Sequence, residues 1–167
     1  ILDQVISFCG SEISSGKTTQ ALGVIPNDIF FEYTNSLLDK NGNQLLLSLD
    51  KFLSYGVPAE EVVSGLSNHM KNLLYSQIDG GSGLLEINDE SKKQYISHSS
   101  KWDRRDLLRS VQILTDLSSK IRRSDDPYLL LEFSSLKLLE MDKSVSIESF
   151  LSHKDIEQNS VNTKEKS

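Results

Sequence analysis

Apolar residues recur along this chain at spacings of three and four, the period of a helix face turned toward a core. No stretch sustains the every-second-residue alternation of a half-buried strand, and no internal repeat is visible. In residues 1–24 a short helical pattern (Ile1, Val5, Phe8) meets a Cys9-Gly10 break, and a second short helix runs toward Leu22 and Gly23. A helix is predicted over Ile29–Lys40, with Asp28 as N-cap and Phe30, Thr34, Leu37 and Leu38 on its inner face. Asn41-Gly42-Asn43 closes it as a tight turn. Gln44–Tyr55 follows, with Leu45, Leu49, Phe52 and Leu53 on one face and Gly56 as a left-handed terminator. So short a link predicts that these two helices pack as a hairpin.

Pro58, with Glu60 and Glu61 in the first turn, opens a longer helix whose stripe is Val62, Leu66, Met70, Leu73 and Leu74. Asp79–Gly83 reads as a flexible glycine-rich loop, and Asp89–His98 as a polar helix. Asp103 then caps a strongly periodic helix carrying Leu107, Val111, Leu114, Leu117 and Ile121. The final helix, from Pro127 to Met141, is apolar on nearly every side. On a helical wheel Leu129, Phe133, Leu136 and Leu139 form the main stripe, Leu130 and Met141 a second, and Leu131 and Leu138 a third. A helix of that kind is expected to be enclosed. Glu132 falls on the main stripe between Leu136 and Leu139, where an unpaired carboxylate is costly, so an arginine partner is expected, with Arg122 and Arg123 nearest. Beyond Met141 the pattern fades: Val145, Ile147, Phe150 and Leu151 are expected to pack as a short terminal turn, and 152–167 to be a disordered tail.

These patterns predict an all-α, compact bundle of about six to eight helices. The length of 167 residues and the 37% hydrophobic content allow one domain with a real core, with a fragment of a second. Cys9 is the only cysteine, which excludes an internal disulfide and a cysteine zinc cluster. The longest apolar runs fall well short of the roughly twenty residues that cross a bilayer. A formal charge of −6 works against phosphate-backbone attraction as the main binding mode, so direct nucleic-acid binding is not expected. Because the chain opens at Ile1, inside a helical pattern, it is expected to be part of a longer protein.

The most tempting chemical motif is Gly10–Thr18, GSEISSGKT, beside the G-x-x-x-x-G-K-[ST] loop that wraps backbone N–H groups around phosphates. Here five residues separate Gly10 from Gly16, and neither a buried strand before it nor an Asp-ended strand after it is visible. An exposed helix start over Ser14–Lys17 is the better reading, with a nucleotide site a distant second. His69, His98 and His153 lie far apart; His69 reads as a packed histidine at the core edge and the other two as solvent-facing. Helix caps and solvated faces account for Asp28, Glu60, Glu61 and Asp103 without catalysis. Lys101, Arg104, Arg105 and Arg109 surround Trp102, but Asp103 and Asp106 interrupt the basic strip, so a tucked Trp at a helix start outweighs base stacking.

Several of these segments, in order, resemble the C-terminal part of the gamma/tau subunit of the bacterial DNA polymerase III clamp loader. Leu2-Asp3-Gln4 with Ile6 and Phe8 is similar to the helix that ends that subunit's ATPase lid, and Ala21-Leu22-Gly23 to the short helix before its next domain. Leu49-Asp50 through Gly56 to Leu66 and Leu74 carries the central likeness, and Arg123–Glu132 resembles the family's last collar helices. The resemblance implies that 1–24 is the end of an AAA+ lid, 25–151 a helical collar that oligomerises, and 152–167 a tail or the start of a linker. It implies a non-catalytic piece of a cytoplasmic DNA polymerase III complex, a nucleotidyltransferase assembly acting in DNA replication. ATP and zinc would be bound elsewhere in the parent, with no cofactor here, and the partners would be other clamp loader subunits and an accessory-subunit peptide. Leu131 and Leu138 are then candidate subunit contacts beside the structural group Glu132, Arg122 and Arg123. Two further readings compete: a helical adaptor for an amphipathic partner peptide, and, least favoured, a nucleotide-binding enzyme built on Gly16-Lys17-Thr18.

Overall fold

A computed structural model describes residues 25–141, which form six α-helices, one short 3₁₀ turn and no strand. The expected lid remnant, the Gly16-Lys17-Thr18 motif, His153 and the tail after Met141 lie outside the described residues. In chain order the helices are α1 (Asn27–Leu38), α2 (Gly42–Ser54), α3 (Ala59–Ser76), α4 (Asp89–Ser99), α5 (Arg104–Ile121) and α6 (Pro127–Glu140). The all-α bundle expected from the periodicity is therefore what forms.

α3 is the hub. It packs most extensively on α5 and also contacts α1, α4 and α6, while α1 packs on α2 and α6 lies against α5, α2, α3 and α1. The stripe Val62, Leu66, Met70 and Leu73 is fully buried, as is most of the α5 stripe, with Leu107, Leu114, Leu117 and Ile121 inside. One contiguous core joins these residues to Ile29, Phe30, Phe31, Tyr33 and Leu37 of α1 and Leu45, Leu49 and Phe52 of α2. α1, rather than the last helix, is the one enclosed on nearly every side, and even its Thr34 and Ser36 are buried.

Polar groups taken into this core are paired: among the described residues no buried side-chain nitrogen or oxygen lacks a partner. Tyr33 Oη donates to Ser135 Oγ at 2.8 Å, tying α1 to α6, while Ser135 Oγ–H returns to Leu131 O at 2.8 Å. Burial pushes the Tyr33 phenol above its ordinary pKa, with the Ser135 hydrogen bond a smaller, opposing influence, so it stays a neutral donor. Tyr128 Oη donates to Val57 O, fastening the start of α6 to the loop before α3.

The helix ends depart from expectation in instructive ways. Asp28 is not the N-cap of α1; Pro26 holds that place without a side-chain bond, and Asp28 sits in the first turn facing the helix dipole. Asn41 does not merely turn the chain: its Oδ1 accepts from Gln44 N–H at 3.0 Å, capping α2, and Gly42 is already helical. The left-handed residue ending α1 is Lys40, at φ 54°, with Asn41 N–H bonded to Ser36 O at 2.9 Å and Lys40 N–H to Leu37 O at 3.3 Å. A non-glycine residue there costs on the order of 1 kcal/mol. The Lys40 ammonium offsets this by donating to Leu139 O and Met141 O at the carbonyl end of α6. Gly56, at φ 66°, terminates α2 as expected. The glycine-rich stretch is an ordered 3₁₀ turn, Gly81–Leu84, rather than a loose loop, and Gly81 is buried. Asp103 caps α5 as read from the sequence, its Oδ1 accepting from Arg105 N–H at 2.7 Å.

Candidate functional site

α6 presents an apolar face to solvent. Leu129, Phe133 and Leu136 fall at i, i+4 and i+7, and they are 45%, 61% and 36% exposed. This is the stripe expected to lead into the core. Instead Leu131, Ser135 and Leu138, one step round the wheel, are buried, together with Leu139. The rotation is fixed from both ends. Asp126 Oδ1 accepts from Leu129 N–H at 3.0 Å and Tyr128 reaches Val57 at the start, while Tyr33 grips Ser135 and Lys40 grips the final carbonyls. α2, which packs on α6, also exposes large apolar side chains: Leu46, Leu47 and Leu53.

The same rotation corrects the residues singled out from the sequence. Leu131 and Leu138, the candidate subunit contacts, are buried in the core of the single chain. Glu132 is exposed beside Phe133, so it needs no buried partner, and among the described residues no ion pair joins it to Arg122 or Arg123. Arg122 instead approaches Glu60 at the start of α3, Nε to Oε2 at 3.4 Å, an exposed pair worth at most a few tenths of a kcal/mol. Arg123 is exposed and, with Arg122, borders a polar groove between α3 and α5 lined by Ser64, Ser67, Asn68, Thr115, Ser118 and Ser119.

A second cluster, which the sequence did not reveal as a unit, lies where α1, α3 and α4 meet. His69 is buried at the centre of it, with Phe31 edge-on at 4.6 Å, Phe30 stacked at 5.9 Å and Tyr95 at 5.1 Å between ring centroids. Both ring nitrogens are used: Nε2 lies 3.3 Å from Thr34 Oγ1 and Nδ1 2.8 Å from Tyr95 Oη. The Thr34 hydroxyl proton points to the Phe30 and Phe31 carbonyls, 3.1 Å away, so its oxygen accepts from Nε2–H and Nδ1 accepts from the Tyr95 hydroxyl. Asn72 also bonds the Tyr95 hydroxyl. Burial, with the nearby His98 charge as a lesser influence, lowers the His69 pKa to about 3. A histidine so held is neutral, apolar-walled and fully bonded, which suits it to locking a helix junction. His98, expected to face solvent, is half-buried with its ring 4.6 Å from that of Phe31.

Among the described residues no group of three or more His, Cys, Asp or Glu is placed to hold a metal ion. Trp102 tucks against the core at the start of α5, as expected, and Gln77 Nε2 braces the turn there by donating to Ser99 O and Trp102 O, both at 2.8 Å. No helix of the described residues is long and apolar enough to cross a membrane.

The described residues thus form an all-α bundle with a satisfied polar core and apolar side chains exposed on α6 and α2. Residues 13–150 match the family described as DNA polymerase III subunits gamma and tau domain III. The chain belongs to this family. Domain III of gamma/tau is part of a clamp loader subunit acting in DNA replication, and the match takes in all six helices of the bundle. A search among curated proteins finds no match.

Proposed function

We propose that residues 25–151 are a non-catalytic collar through which gamma/tau and other clamp loader subunits assemble, and that the exposed face of α6 is a contact in that assembly. The observation that carries this reading is the run Leu129, Phe133 and Leu136 standing in water on a helix whose other face is anchored by Leu131, Ser135 and Leu138. Holding Phe133 about three-fifths exposed forgoes part of the 1.5–3 kcal/mol, roughly, that burial of such a side chain supplies. A neighbouring subunit covering it recovers that energy. In this reading the collar holds ATPase modules together in the bacterial cytoplasm, so that the nucleotide state of one is felt by its neighbours. ATP and zinc are bound by other parts of the parent and none is needed here; 1–24 is the end of the lid and 152–167 the way into a linker.

The test is assembly of the full chain with the other clamp loader subunits, followed by light scattering. Phe133→Asp, which alters an exposed site and leaves the helical circular dichroism unchanged, is expected to reduce the assembled mass. Assembly undiminished by Phe133→Asp and by the double variant Leu129→Asp/Leu136→Asp removes α6 from the interface.

A further inference from the structure

α2 and α6 lie side by side and antiparallel. At one end a Cβ on Gly42 would stand 3.4 Å from Leu139 Cδ2, and at the other the Tyr128 hydroxyl reaches Val57 O, just past α2. Gly42, Leu46 and Leu53 share one face of α2, so that face is the one turned to α6; the opposite flank sends Lys51 to Glu32 of α1. On α6 Leu129 and Leu136 share a face at i and i+7, and these four leucines are all exposed. The antiparallel pairing sets Leu46 toward Leu136 and Leu53 toward Leu129. Midway along each face stands a carboxylate: Asp50, four residues after Leu46, and Glu132, three after Leu129. Both are exposed, and among the described residues neither takes part in an ion pair. The apolar face of α6 is thus one bank of a two-helix seam with negative charge at its centre.

We propose that this seam takes the basic, apolar end of a second copy of the chain, and that Asp50 and Glu132 select that end by charge. The inference rests on the collar reading, whose α6 contact it extends to α2 and supplies with a partner. Arg104 Nη2 donates to Gln77 O at 3.1 Å, which holds the start of α5 beside the end of α3. A large apolar side chain stands in water on each side of that junction, Ile78 just past α3 and Leu108 on α5, both about half exposed. Arg105 lies three residues before Leu108 and Lys71 seven before Ile78, so both cations share the faces of those apolar residues and outweigh Asp79. Neither has an ion pair among the described residues; the Lys71 ammonium stands 6.0 Å from the centre of the Tyr75 ring, a contact that leaves its charge in place. Seam and end are therefore alike in apolar character and opposite in charge. Two seams face to face would set Asp50 and Glu132 against their own counterparts with no cation between, which works against an isologous dimer. Contact between unlike faces leaves one seam and one basic end open on every pair, so a third copy can add.

Sedimentation equilibrium of the full chain at low salt tests this, with far-UV circular dichroism confirming each fold. Asp50→Lys/Glu132→Lys and Lys71→Glu/Arg105→Glu should each self-associate at least about tenfold more weakly than the native chain, with the control Glu90→Lys unchanged. Mixing the two double variants should restore association, because every seam then meets an end of opposite charge. That restoration is the decisive readout, since mixing does not repair a damaged fold. A native chain that stays monomeric at every concentration overturns the inference, as does a mixture that associates no better than its components. Association that appears only when other clamp loader subunits are added assigns the seam to them and overturns the second copy as its occupant. Loss of assembly with those subunits in Phe133→Asp, beside charge variants that self-associate like the native chain, sinks this partner and leaves the α6 collar contact standing.

Discussion

Acidification should unfold this bundle through His69. In the unfolded chain its imidazole takes up a proton near pH 6.5, whereas in the folded protein burial holds that step down to about pH 3. Because the folded pKa is depressed, the stabilising contribution of neutral His69 is fully present above pH 6.5. It is lost as the pH falls toward 3, at about 1.4 kcal/mol per pH unit. Between pH 6.5 and pH 5 the loss is about 2 kcal/mol, which for a bundle of this size lowers Tm by about 8 °C. Urea titrations followed by far-UV circular dichroism at pH 7, 6 and 5 measure it directly. His69→Gln sacrifices packing and is less stable at pH 7, yet its stability should vary less over this range, by about one proton's worth. His98, packed on Phe31 close to His69, is the other histidine of the cluster, so His98→Gln is run in parallel to separate its contribution. Equal pH slopes for the native chain and His69→Gln would refute the reasoning.

Three other outcomes are expected. Leu131→Ala opens a cavity in the core and should cost about 3 kcal/mol, whereas Glu132→Ala next to it should change stability by less than about 0.5 kcal/mol; thermal melts of the pair read the rotation of α6 directly. In Gly65→Ala the new methyl would stand 2.6 Å from Phe30 Cζ and 2.8 Å from its Cε1, so the ring must shift, at a cost of about 1–3 kcal/mol in urea unfolding. Tyr33→Phe removes the α1–α6 hydrogen bond but leaves Ser135 bonded to Leu131 O, so the loss should stay near 1 kcal/mol in the same measurement.

Glu132 shows how the sequence misplaced the site. Its expected burial followed from choosing Leu129, Phe133, Leu136 and Leu139 as the core stripe, a choice that neither the length of the run nor its composition could decide. With leucines on every side, the competing faces of Pro127–Glu140 offer nearly equal apolar area, and only the partners select among them. The small residue at Ser135 marks the buried face, since it leaves room for the Tyr33 hydroxyl, but that meaning appears only once Tyr33, far away in sequence, is beside it. The His69 cluster was hidden for the same reason. Thr34, His69 and Tyr95 come from three helices, and each looks separately unremarkable until the three close on one another.

Periodicity by itself determined the number, order and approximate ends of the helices in the described region, because spacing along a chain is a local property written in neighbouring residues. It also made the stripes of α3 and α5 unambiguous, since each of those helices has one apolar face and one polar one. Family membership was legible as well, through the order of weak local likenesses, and the match over residues 13–150 bears it out. The tertiary structure alone decided which way α6 turns, which of its leucines water sees, and which carboxylates and arginines meet. Those outcomes depend on competition between distant surfaces for the same buried area, and no stretch of sequence carries both competitors.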